Sequence, residues 1–304
     1  MFLVILLYAI CALTFTIAKL TLVFASPLFY VGVRMFAAGL LLLLFAVVGR
    51  GFRRLIRSDL LLILGVAFFS VFIAYACDLW SLQYLSSSES ALLFNLSPFA
   101  AALFSYWWFG ERMTLKKWLG MVVAVTSIIP IVTGGESVLT HFPLWKLLPI
   151  FALLTSVLSS AYGWILVREL VKTREFSPFF INGIAMTIGG SLALGLSWVM
   201  EGWNPLPVFS WPNFIFFTIL MIFIANILFV NLYSVLLRRY TATFISFSGL
   251  MCPLFVALLG RIFLNEELTG SSFISALLVA SGLFLFYEEE LRQGYITKKT
   301  DVSV

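Results

Sequence analysis

The chain has 304 residues, of which 62% are hydrophobic and 11% charged, with a formal net charge of +5 and a mean hydropathy of +1.07. A water-soluble domain carries roughly 25% charged residues, so this composition excludes a soluble globular enzyme and requires lipid as solvent. The basic excess is accounted for by its placement along the chain, described below, without a nucleic-acid partner.

Ten apolar runs follow one another, at 3–22, 28–48, 60–82, 88–108, 115–133, 147–167, 178–199, 213–236, 242–264 and 271–287. Each is long enough to cross the hydrocarbon at about 1.5 Å per residue of helix. None shows the alternation of barrel strands, and in lipid every backbone group must pair within its own segment. The expected fold is therefore an all-α integral membrane protein with ten transmembrane helices. The first run, MFLVILLYAICALTFTIAKL, has no basic leader and no small-residue cleavage site, and reads as a retained helix.

The second run carries Arg34 and the third carries Tyr75, Asp78 and Trp80. Arg34 and Asp78 fall at similar depth in adjacent helices. A charge at the bilayer centre costs from about 2.5 kcal/mol upward, so neither is expected to face lipid. Two readings stay open: a salt bridge locking helices 2 and 3, or a site for substrate charge with a protonatable Asp78. The fourth run, LLFNLSPFAAALFSYWWF, holds Asn95 and Pro98. Pro98 is expected to kink the helix and, with Pro253 in the ninth run, to shape and gate a central cavity. Glu111 and Glu266 follow these runs in short turns, where a carboxylate can accept from the next helix's unpaired N–H groups; they are expected to be structural. Tyr162, Trp164, Asn226, Asn231 and Ser248 complete the polar and aromatic set available to line a cavity for a small polar, partly planar solute.

Basic residues settle the expected orientation. Arg50, Arg53, Arg54 and Arg57, then Arg112, Lys116 and Lys117, then Arg168, Lys172 and Arg174, then Arg238 and Arg239, then Arg292, Lys298 and Lys299 all fall in even-numbered connections or the tail. Only Lys19, Lys146 and Arg261 fall on the other side, which places both termini in the cytoplasm. Segment 288–290, three glutamates, reads as a solvated boundary of the last helix, and Cys11, Cys77 and Cys252 as small core residues. His141, the one histidine, falls in a loop. There is no HExxH, G-x-S-x-G or G-x-x-x-x-G-K-[ST] pattern, so no metal, cofactor or nucleotide hydrolysis is expected.

The chain repeats itself. Pro98, Glu111 and Thr114 match Pro253, Glu266 and Thr269 at one shift of 155, and SPLFYVGVRMFAAG (26–39) matches SPFFINGIAMTIGG (177–190) at a shift of 151. This pattern, with Arg34 in the second helix, resembles the EamA-type family of the drug/metabolite transporter superfamily. Five helices per unit is an odd number, so the second copy is expected upside down relative to the first, with substrate near the midplane between them. The expected units are 1–134 and 147–290, joined by a linker at 135–146 and followed by a cytoplasmic tail, 291–304. The resemblance implies a secondary transporter of the cell membrane, working by alternating access on a small polar metabolite such as an amino acid or a nucleotide-related solute like S-adenosylmethionine. A non-transporting intramembrane enzyme or assembly partner remains the alternative, and a monomer and a homodimer are both compatible.

Overall fold

Apolar runs of this length become helices because lipid offers no partner for a free N–H or C=O, and only the helix pairs them all locally. The computed structural model describes residues 2–48, 55–85, 90, 93, 94, 96–126, 147–252, 255 and 270–294. Its main helices are α1 (Phe2–Thr21), α2 (Pro27–Val48), α3 (Arg57–Leu82), α4 (Ser97–Phe109), α5 (Leu115–Thr126), α6 (Leu147–Thr173), α7 (Pro178–Met200), α8 (Trp211–Leu236), α9 (Ala242–Met251) and α10 (Gly270–Arg292). Five of them, α2, α3, α6, α7 and α8, are long and apolar enough by themselves to cross a membrane. The protein is thus an all-helical, multi-pass membrane protein. Its outer faces carry large apolar side chains such as Leu44, Trp107, Val199 and Phe216, with Trp107 80% exposed. In water such a surface would aggregate; against acyl chains it is the expected lining.

The centre of the bundle is the seam between α2 and α7, where backbones approach too closely for side chains. A Cβ added at Gly39 would stand 2.5 Å from the Thr187 nitrogen, and one at Gly190 would stand 2.5 Å from the Phe36 nitrogen. One at Gly32 would meet the Leu194 nitrogen at 2.9 Å, and one at Gly183 the Leu43 nitrogen at 3.0 Å. The shift of 151 carries Gly39 onto Gly190 and Phe36 onto Thr187, and likewise Gly32 onto Gly183 and Leu43 onto Leu194. Each contact is exchanged with its twin, and the helices run antiparallel. The α5–α10 pair repeats the device, with Gly120 against the Gly282 carbonyl. At one end of the seam Glu201 accepts from the Leu28 and Phe29 N–H groups at 2.9 and 2.8 Å, capping α2.

Helices α3 and α8 each contain an eight-residue π-helical stretch, Val66–Ile73 and Ile222–Phe229. Such stretches disturb the normal carbonyl ladder, and here side chains supply donors to it. Ser159 donates to the Phe69 carbonyl at 2.8 Å and Ser156 to that of Ala74 at 2.7 Å. In α8, Asn231 donates to the Asn226 and Ile227 carbonyls at 3.1 and 3.0 Å.

Pro98 differs from its expected place. It lies in the first turn of α4, which begins at Ser97, not in a helix interior. A first turn tolerates the missing N–H, and residues 93 and 94 ahead of it are helical too, so the proline stands where one helical stretch gives way to the next. Asn95, Pro253, Glu266, the segment 135–146 with His141, and residues after 294 lie outside the described residues.

Candidate functional site

Between the helices lies a cavity of about 190 Å³, walled by α1, α2, α3, α6, α8 and α9 and reached by Ser97 of α4. The residues of both sequence repeats therefore meet around it. Four expected site residues line it: Arg34, Tyr75, Asp78 and Trp164. Tyr8, Thr14, Ser70, Tyr233 and Ser246 line it as well and were missed. Tyr8 and Tyr233 were in plain view as hydroxyl-bearing rings inside apolar runs, the same signal that marked Tyr75.

Arg34 is 1% exposed, and its guanidinium lies over the rings of Tyr30 and Tyr75, at 5.0 and 5.1 Å from their centroids. Its Nη1 donates to the Tyr30 hydroxyl at 3.3 Å. Two desolvated cation–π contacts, each up to about 2 kcal/mol, offset the cost of holding the cation in the bundle. Asp78 lies one turn beyond Tyr75 and lines the same cavity, yet the two charges form no ion pair within 4 Å. Of the two open readings, the salt bridge between helices 2 and 3 is not formed in this conformation. Trp164 stacks on Tyr233, centroids 3.9 Å apart and planes 21° from parallel, giving the cavity a flat aromatic wall.

The remaining candidates do other work. Trp80 packs on Tyr84, and Tyr162 packs among Phe69, Phe104 and Trp108, away from the cavity. Asn226 is fully buried and donates to the Met35 sulfur at 3.0 Å. Asn231 accepts from Asn182 at 3.1 Å while holding the α8 carbonyls, and buried Ser248 donates to the Phe244 carbonyl. These are packing and backbone-supporting roles.

A second polar cluster closes the bundle at the end that carries Arg57, Arg174 and Arg238. Gly110 ends α4 in a left-handed turn, φ 66°, that points Glu111 inward. Glu111 Oε1 lies 2.5 Å from Arg168 Nη1, and the Arg168 guanidinium covers the Phe109 ring at 4.3 Å. Burial pushes the Glu111 carboxyl above its ordinary range, against the pull of Arg168. The expected capping of α5 falls instead to Thr114, whose hydroxyl accepts from the Lys117 N–H at 3.4 Å. Lys117, 1% exposed, pairs with Glu290, which also accepts from the Thr241 hydroxyl at 2.6 Å. The 288–290 run is therefore no solvated boundary: Glu288 pairs with Lys116 at 2.9 Å, and Glu289 and Glu290 are buried. Each of these buried pairs offsets part of the desolvation cost of its two charges, and removing one partner would leave the other uncompensated.

A largely apolar cavity with one arginine and one aspartate on its wall, inside a helix bundle with an apolar outer face, suits a membrane transporter of a small-molecule substrate. Comparison with known sequences matches the EamA-like transporter family over residues 1–133 and 147–288. The chain belongs to that family. It is 33% identical over 286 residues to the S-adenosylmethionine/S-adenosylhomocysteine transporter of Chlamydia muridarum, covering 93% of this chain and 90% of that one. The transporter of the same name from Chlamydia trachomatis serovar L2 is also 33% identical, over 93% of this chain and 87% of its own. A solved crystal structure shares the fold at a TM-score of 0.72 and 17% identity, covering 96% of each chain. The protein is a transporter and not an enzyme, which removes the non-transporting alternative.

Proposed function

We propose that the protein carries S-adenosylmethionine, S-adenosylhomocysteine or both across the cell membrane by alternating access. The observation that carries this reading is the cavity: opposite charges at Arg34 and Asp78 and the Trp164–Tyr233 wall suit a solute with an amino-acid end and a planar base. The two relatives bearing that substrate name supply the rest. Ten helices, arranged as inverted units 1–134 and 147–290, would rock about the α2–α7 seam, whose contacts are exchanged by the repeat shift. In α3 the cavity begins at Ser70 and extends toward Leu82, away from the end closed by Glu111–Arg168 and Lys117–Glu290. With both termini cytoplasmic, that closed end is the inner gate and the cavity faces outward.

Purified protein in liposomes should take up labelled S-adenosylmethionine, with competition by S-adenosylhomocysteine. Uptake of neither above protein-free liposomes would overturn the substrate assignment. The orientation has its own test: single cysteines at Ser137 and Lys172 should label from opposite sides of the membrane, Ser137 from outside. Labelling from one side would sink the inverted arrangement.

A further inference from the structure

We propose that Arg34 and Asp78 form a split head-group subsite, in which the guanidinium takes the α-carboxylate and the Asp78 carboxylate takes the α-ammonium of one amino-acid zwitterion. This rests on the cavity being the substrate site, as proposed above, and adds which atoms of the substrate each charge reads.

Unmet hydrogen-bonding capacity carries the inference. Of the three guanidinium nitrogens only Nη1 has an acceptor; Nε and Nη2 have none among the described residues, although the side chain is 1% exposed. The Tyr30 and Tyr75 rings hold the guanidinium in place without using those N–H groups. Asp78 engages Ser81 through its backbone carbonyl at 2.7 Å, while its carboxylate makes no ion pair or hydrogen bond among the described residues. A structural lock between helices would bring the two charges together. Here they remain apart on neighbouring helices, both on the cavity wall. The missing pieces are an anion with in-plane lone pairs for the fork of Arg34 and a cation with N–H donors for Asp78. An α-amino acid supplies both on one carbon. A sulfonium supplies no N–H, so it fits Asp78 less well than the ammonium does. The aromatic pair Trp164–Tyr233 on the same cavity leaves a flat face for the base.

Affinities of the full chain in lipid nanodiscs for S-adenosylmethionine, S-adenosylhomocysteine and 5′-methylthioadenosine, which lacks the amino-acid end, test this. The wild type should bind the first two alike and methylthioadenosine about tenfold to a hundredfold more weakly, the value of a desolvated charge-assisted hydrogen bond. Asp78→Asn and Arg34→Lys should each weaken both amino-acid ligands by a similar factor and leave methylthioadenosine unchanged. Weakening of S-adenosylmethionine alone in Asp78→Asn would assign Asp78 to the sulfonium and overturn the proposal, as would equal binding of all three ligands by the wild type. Should a variant not fold, the wild-type ligand series alone decides. If the wild type binds neither named solute, the substrate reading fails separately. The subsite is then tested with tryptophan against tryptamine and indole-3-propionate: preference for the intact zwitterion supports it, and indifference overturns it.

Discussion

Gly39→Ala and Gly190→Ala should each lower the folded yield and the melting temperature, and by closely similar amounts. Either new Cβ would stand 2.5 Å from a backbone nitrogen of the facing helix, Thr187 or Phe36, and backbone cannot swing aside as a long side chain can. Overpacking of a well-packed core costs about 1–3 kcal/mol for one methyl-sized addition, and Leu at either position should insert yet fail to give folded protein. Gly195→Ala in α7, with nothing within 4 Å of its Cβ, serves as the control and should not lower either quantity. Thermal unfolding in detergent measures all three. Clearly unequal effects at Gly39 and Gly190 would show that the seam lacks the equivalence its geometry implies.

Lys117→Met should be among the most damaging single changes outside that seam. Glu290, fully buried, would keep the Thr241 hydroxyl and lose its cation, and breaking a buried pair from one side costs about 3–5 kcal/mol. Lys117→Met with Glu290→Gln should recover most of that loss, since a glutamine can still accept from Thr241. The stabilised double variant then reports on gating. In a background where Cys11, Cys77 and Cys252 are replaced, a cysteine at cavity-lining Ser160 should become reachable by a membrane-impermeant thiol reagent from the Lys117 side. Unchanged labelling would reduce the cluster to a structural clamp.

The helices and the family were legible in the sequence because lipid leaves so few ways to satisfy a backbone, and because proline and glutamate at fixed spacing are scarce in apolar runs. Arg34 and Asp78 were legible for the same reason: a charge in such a run has to have a purpose. The π stretches in α3 and α8 were not, since their residues are those of any apolar helix. What marks them is a side-chain donor to the ladder, Ser159 of α6 for one and Asn231 of α8 itself for the other. Asn231, expected on the cavity wall, instead serves that ladder. The burial of Glu290 was equally hidden, because its partner Lys117 is 173 positions away in the chain. Hydropathy runs on unbroken across the start of α4, so it gives no sign that Pro98 stands in a first turn.

The exchanged contacts between α2 and α7 also bear on how such a chain could arise and insert. A contact that the 151-residue shift carries onto itself is one that a lone five-helix unit could make with a second copy lying the other way up. Such a unit would have to enter the membrane in both orientations, which requires nearly balanced basic residues at its two ends. Fusion lifts that constraint, and the expected topology of this chain makes use of the freedom. Within the first unit the arginines and lysines follow its second and fourth helices, Arg50 to Arg57 and Arg112 to Lys117; within the second they follow its first, third and fifth, as at Arg168 to Arg174 and Arg238 with Arg239. Under the expected topology each half would carry its own fixed address, and neither could replace the other in a pairing of two identical units.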